Sequence, residues 1–441
     1  GNDKGNGGDI CCRPNASDPM CVMGNCCVPS DCAANLLCIN NQCQAPPACH
    51  PIANGTYYVD RYGGTDDSRS TGADNCPFRS ITHTLAVASS AAPITIELVN
   101  PSNDTFVLGL GLDAEVFPIV VPAGVTITSA DPLAQAGLAI AEGQIGIVLS
   151  SPNSRLSNVA IQGGDTAIAV YGGSDRATTV VDHILIQSTA KDAILVGPAP
   201  NETTSGQATL GPGLNVNAIG GTNGQAACLR LFGQASVAIL GGANADNTDL
   251  SAAAYGIVVN DSAFVTIRGP TVTSSNSPAD VSVTENGVAG VLISQTPGQV
   301  PPGNVNDIEG LGVGGNAGDG IRVTAGSRLK LRGSDIESDQ ATGITIAPNA
   351  AGLPLDDLTT IDLGGIGAAS YGGNTLSNGS ANLCLEFQAR SGTLMAAGNV
   401  FGQTDCSMAS GGALSRSSSC SDEVDIGGTG DPTAVNVSQC Q

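Results

Sequence analysis

The sequence predicts an all-β fold: a right-handed parallel β-helix, or solenoid, with a short capping helix and a small disulfide-rich N-terminal module. Three observations predict it. A four-residue strand signature recurs down most of the chain. The composition suits short strands and turns rather than helices. The cysteines crowd into one end.

The signature is a small residue followed by apolar-x-apolar. It reads Gly146-Ile147-Val148-Leu149, Ala167-Ile168-Ala169-Val170, Ala193-Ile194-Leu195-Val196, Cys228-Leu229-Arg230-Leu231 and Gly256-Ile257-Val258-Val259. It continues as Gly290-Val291-Leu292-Ile293, Gly320-Ile321-Arg322-Val323, Gly343-Ile344-Thr345-Ile346 and Cys384-Leu385-Glu386-Phe387. The step is 21 residues from Gly146 to Ala167 and 41 from Gly343 to Cys384. Strands that keep register while loops change length are the mark of a coil stacked on the coil below. Alternation turns one set of side chains inward and leaves Arg230, Arg322, Lys330, Thr345 and Asp362 outward. The inward column is expected to run from Ile147 through Leu385. Nine signatures at about 4.8 Å per coil give a rod of roughly 45 Å.

Composition agrees. The 441 residues include 59 Gly, 3% aromatics and no Trp, and charged residues are 12%. Chains poor in Glu, Lys, Leu and Arg make few long helices. With 16 Lys+Arg against 39 Asp+Glu the formal charge is −23, which argues against nucleic acid or an anionic membrane surface as a partner. No stretch is long and apolar enough to span a bilayer. The opening Gly1-Asn2-Asp3-Lys4-Gly5 reads as a processed start.

Fifteen cysteines with three histidines fit disulfides in an oxidising compartment better than zinc. Cys11, Cys12, Cys21, Cys26, Cys27, Cys32, Cys38, Cys43 and Cys49 all precede residue 50. A segment this short needs covalent links in place of a core. The adjacent pairs Cys11-Cys12 and Cys26-Cys27 loosely resemble small cystine-knot or granulin-like modules. Cys49 and Cys76 flank the start of the β-helix and can link it to its cap. Cys228 and Cys384 read as small buried corner residues. Cys406, Cys420 and Cys440 belong to a closing segment with disulfides of its own. The expected domains are therefore 1–50, a disulfide-rich module and Pro-rich linker; 51–400, the β-helix with its N-terminal cap; and 401–441, a C-terminal cap. Phe78, Ile81, Leu85 and Ala88 recur at helical spacing and predict the capping helix over residues 82–89.

The stretch from Tyr57 to Val125 resembles the N-terminal part of bacterial pectate-lyase-like β-helix proteins of uncharacterised function. Tyr58-Val59-Asp60, Gly63-Gly64-Thr65-Asp66, Cys76-Pro77-Phe78-Arg79-Ser80-Ile81 and Phe117-Pro118-Ile119-Val120-Val121-Pro122-Ala123-Gly124-Val125 carry the resemblance. It implies the fold and little about activity, since this fold hosts lyases, hydrolases, adhesins and structural proteins. The first 49 residues lie outside it.

Hydrolases of the polygalacturonase type carry paired aspartates with Gly-His-Gly and Arg-x-Lys, and no Gly-His-Gly occurs. His183 reads as an ordinary histidine at a strand start. Asp66-Asp67 and Asp356-Asp357 read as solvated turn acids. Lyases use Arg or Lys as base, and Arg328, Lys330 and Arg332 alternate on one strand, with Arg322 on the same coil. These four are the candidate ligand-binding residues, for an acidic polysaccharide; cross-strand charge pairing is the competing explanation. Asp307, Glu309, Asp319, Asp335 and Glu337 are the acids on which calcium would sit, though no cofactor is required. Asn15, Asn54, Asn103, Asn201, Asn260, Asn378 and Asn436 begin glycosylation sequons. The function expected from the sequence is an exported structural or adhesive protein of the cell surface or extracellular space. It is a rigid rod that self-associates head to tail through its N-terminal module. A polysaccharide lyase or glycoside hydrolase acting on acidic glycans is the alternative.

Overall fold

The structure is a computed structural model. It describes residues 3–4, 10–12, 20–22, 37–39, 42–44, 48–99, 105–107, 115–131, 134–150, 153–172, 179–217, 220, 224–242, 247–269, 281–337, 339–348, 358, 360–364, 372–378, 381–385, 394–396, 399–401, 424–426 and 435–436. The chain divides into two compact units, Gly1–Pro51 and Ile52–Gln441. In the first, strands Asp3–Lys4, Ile10–Cys12 and Met20–Val22 form an antiparallel sheet, and Leu37–Ile39 pairs antiparallel with Gln42–Gln44.

The second unit is a parallel β-helix of three faces. Its third face is an 11-stranded, wholly parallel sheet, to which each coil gives one strand, from Ile119–Val121 to Val424–Ile426. Among the described residues eleven coils therefore stack, two more than the nine signatures indicated, for a rise of about 50 Å at about 4.8 Å per coil. The first and second faces merge into one 22-stranded sheet. They merge because Arg155–Gly163 and Thr179–Gln187 each run across both faces. Elsewhere one coil visits the faces in turn, as Asn306–Glu309, Leu311–Gly314 and Asp319–Thr324 do.

The expected inward column is present. Ile147, Ile168, Ile194, Leu229, Ile257, Val291, Ile321 and Ile344 pair in register from coil to coil, and all are buried. Each such aliphatic side chain removed from water stabilises the fold by about 1.5–3 kcal/mol. The last member is different. Ile344 pairs with Leu383, and Leu385 pairs with Ile346, so Leu385 stands two residues further along the strand than expected, a shift that keeps the alternation. At two of the glycine corners crowding excludes a side chain. At Gly256 a Cβ would overlap Val283, and at Gly320 it would overlap Asp339. Thr345, expected outside, is buried at 1% exposure and lies in register with Cys384.

The N-terminal edge is closed as expected, and more tightly. The helix Ile81–Ala88 buries Ile81, Thr84, Leu85 and Ala88 in the common core. Ser80 is its N-cap, its hydroxyl accepting from the His83 N–H at 3.1 Å. The segment before the helix adds to the free edge of strand Thr56–Asp60: Asp60 N–H donates to the Phe78 carbonyl and Phe78 N–H to the Tyr58 carbonyl. At the far end the ladder runs on past the expected boundary at residue 400. Val424–Ile426 extends the third face and Val435–Asn436 the first.

Candidate functional site

The strand Leu329–Arg332 turns Leu329 and Leu331 into the core, so Lys330 and Arg332 project from the first face. The coils on either side supply acids in register. Asp307, Lys330 and Asp362 form one column, and Arg268, Glu309 and Arg332 form the next. Sign alternates along both. Lys330 Nζ lies 3.4 Å from Asp307, Arg268 Nη2 lies 2.5 Å from the same carboxylate, and Arg332 Nη2 lies 2.6 Å from Asp362. Burial alone would raise the Asp307 carboxyl, but the hydrogen bond and charge of Arg268, with Lys330, hold it below the usual carboxylate range. Arg332 also donates to the main-chain carbonyls of Leu331 and Asp362.

The other two candidate cations stand apart. Arg322 is on the third face, paired with Asp319 at 2.8 Å. Arg328 lies at the corner before the first face, its Nη1 3.4 Å from the Pro302 carbonyl. The four basic residues therefore do not converge on one point. The sequence placed Arg322 beside Lys330 because one short corner separates them, and that corner changes the face.

The acids are spread in the same way. Asp307 and Glu309 are on the first face, Asp335 and Glu337 on the second, and Asp319 on the third. Among the described residues no three metal-capable side chains come together. Asp335 and Glu337 flank the inward Ile336, next to Gly312 and Gly314 on the neighbouring strand. Burial, then the charge and hydrogen bond of Glu337, push Asp335 up to about 6.

A polar cluster that the sequence reading missed lies at the elbow between the first and second faces. His183 sits in mid-strand, not at a strand start, with φ 51°, and Asn158 holds the same place one coil earlier with φ 53°. Further along, Gly310 and Gly333 take that conformation at the same bend. Asn and Gly tolerate the left-handed region, and His does so more often than most residues. Asp182, buried beside it, accepts from Ser157 Oγ at 2.5 Å, pairs with Arg155 at 2.7 Å and lies 3.3 Å from His183 Nδ1. Ser157 and His183 both contact the carboxylate, which stands between them. A nucleophile relay needs the histidine between serine and acid. The signal was divided between Arg155-Leu156-Ser157 and Asp182-His183, one coil apart, and only the register joins them.

Two acids build the cap. Asp66, expected to be a solvated turn acid, accepts from the Arg79 and Ser80 N–H groups and from Ser80 Oγ at 2.6 Å. Glu115 is buried and accepts from the Ile81 and Thr82 N–H groups at 2.6 and 2.8 Å, meeting the first turn of the helix. Asp67 is held well below the usual carboxylate range by its hydrogen bonds from Arg69. Asp356 and Asp357 lie outside the described residues.

Cys49 and Cys76 are each disulfide-bonded. Cys228 is buried and free, its thiol raised chiefly by burial. Cys384 is disulfide-bonded, so it does more than fill a corner; it lies on strand Ala381–Leu385 in register with Thr345. Cys11, Cys12, Cys21, Cys38 and Cys43 are described only as strand positions, with Cys11 opposite Cys21 and Cys38 opposite Cys43. Cys26, Cys27, Cys32, Cys406, Cys420 and Cys440 lie outside the described residues. The sequons separate by environment. Asn54 and Asn201 are exposed, whereas the Asn378 side chain is engaged with Asp339, Ile336 and Asn382.

The second unit is thus a parallel β-helix protein with an ion-paired outer wall. No family model matches the sequence, and no curated protein matches it either. Among solved structures, the native GH136 lacto-N-biosidase from Eubacterium ramulus is similar at a TM-score of 0.31 and 10% identity, over 84% of this chain and 68% of that one.

Proposed function

We propose that the chain is an exported structural protein, a stiff rod that presents polar walls and uses its charged residues to hold its coils together. The observation that supports this is the alternating column pair on the first face. Lys330 and Arg332, the cations a lyase would use, each have a carboxylate within 4 Å. A base must accept a proton from substrate, and a cation already bound to acids is poorly placed for that.

In this reading the unit Gly1–Pro51 couples one rod to the next. A heterologous contact of that kind does not close and gives a filament. Light scattering and electron microscopy of the purified full-length chain test it. Concentration-dependent growth of elongated particles is the expected result. A strictly monomeric chain at high concentration would overturn the assembly reading.

A further inference from the structure

A column of buried amide side chains follows the corner between the second and third faces, and one rung of it is an acid. Asn286 Nδ2 donates to Asn316 Oδ1 at 3.0 Å, and Asn316 Nδ2 donates to Asp339 Oδ1 at 2.8 Å. The main chain runs in parallel: the N–H of Asn286 donates to Asn316 Oδ1, that of Asn316 to Asp339 Oδ1, and that of Asp339 to Asn378 Oδ1. Asn378 then donates Nδ2 to Asn382 Oδ1 at 3.3 Å. Each amide also reaches a carbonyl of the second face one coil back: Asn286 to Leu250, Asn316 to Val283, Asn378 to Ile336. Leu250, Val283, Val313 and Ile336 are successive residues of one inward column.

Every rung thus has one acceptor atom pointing up the column and one donor atom shared between the next rung and a carbonyl. Position 339 is the exception in composition only. Its Oδ1 accepts as every other rung does. Its Oδ2 is the atom that corresponds to an amide's donor nitrogen; it lies against Gly320 and has no hydrogen-bond partner as an acceptor. The residue is 1% exposed, so water does not replace the missing bond. An ionised carboxylate would leave a buried negative charge with no donor on this oxygen.

We infer that in mildly acidic solution Asp339 carries its proton on Oδ2, donating along the ladder, and that loss of this proton makes the C-terminal coils pH-sensitive. Protonation joins one proton to the carboxylate and adds the missing donor; no other bond changes. Charged groups around it act in the same direction or are already neutralised. Asp319, whose charge also disfavours ionisation, is itself paired with Arg322. Asp335 and Glu337 lie on the outer side of the same coil. Burial, opposed in part by the Asn316 hydrogen bonds, raises the Asp339 carboxyl to about 6.

The sign follows from linkage. A carboxyl whose folded pKa is raised stabilises the fold fully below its unfolded pKa near 3.8, and that contribution is lost as pH rises to about 6. The test is Asp339→Asn, which restores an amide rung. Measured by denaturant unfolding, the unfolding constant of wild type relative to the variant should rise about tenfold per pH unit through that window, about a hundredfold in all. At pH 7 the variant should unfold at a higher midpoint. Independently, the Asp339 side-chain carbon resonance should titrate near pH 6 in the folded protein. Parallel pH profiles for the two proteins, a lower midpoint for the variant at pH 7, or a variant that does not fold would each overturn the inference, because Asn is the residue on either side.

Discussion

Arg332 holds the carboxylate of Asp362 at 2.6 Å across the gap between adjacent strands of the first face, while its own Nη1 donates to the Asp362 main-chain carbonyl at 3.0 Å. One side chain therefore ties both the charge and the backbone of the next coil. Arg268 makes the same pair of contacts to Asp307. Two arginines doing one job on different coils argue for a wall built to hold itself together.

That wall predicts a modest, measurable stability. Reversing one charge by Arg332→Glu should lower the unfolding free energy by about 1–2 kcal/mol, mostly through lost attraction and lost donors. Adding Asp362→Arg should recover about half of it, since the charge pair is restored and the backbone contact is not. Chemical denaturation of the two variants checks this. No recovery would mean the ion pair contributes nothing.

The core predicts a larger effect. Ile321 is fully buried in the third-face column between Val291 and Ile344. Ile321→Ala should cost about 2–5 kcal/mol, through lost burial and the cavity left behind. An effect under about 1 kcal/mol in calorimetry would place this residue outside the packed column.

The elbow predicts a gain. His183 holds φ 51°, a conformation asparagine and glycine adopt with less strain. His183→Asn should be neutral or raise the thermal midpoint, and His183→Val should lower stability by about 1–3 kcal/mol. Thermal scans at one pH distinguish the two; equal effects would remove the backbone argument.

The acid pair predicts a pH response on the second face. Asp335 is raised to about 6 by burial and by Glu337. Glu337→Gln removes the charge and should move the Asp335 titration midpoint down toward the ordinary carboxylate value, as read by carboxyl carbon resonances. The Asp335 contribution to stability is present below its unfolded pKa and is lost as pH rises toward 6, so the variant should also be less sensitive across that range. An unchanged midpoint would assign the shift to burial alone.

Most of the fold was legible because the β-helix writes itself in local pattern. Gly320-Ile321-Arg322-Val323 gives corner, core, surface and core within four residues, and the structure follows it. What was not legible depends on which coil stacks on which. The Asn286–Asn316–Asp339 ladder is spaced by 30 and then 23 residues, so no fixed period reveals it. Arg155, Ser157 and Asp182 meet only through the register between their strands. Arg322 looked like a neighbour of Lys330 in sequence and faces another direction. The disulfide at Cys384 was hidden because a buried small residue and a half-cystine look alike in an apolar strand.

In the proposed rod the basic residues of the outer wall hold strands together. The most direct test measures release of new chain ends from an acidic polysaccharide, with calcium present, by the wild-type chain and by Arg328→Ala, Lys330→Ala and Arg332→Ala combined. No release by either protein is expected. Release by wild type that the triple variant abolishes, with the variant still folded, would contradict it and assign these residues to a polysaccharide lyase.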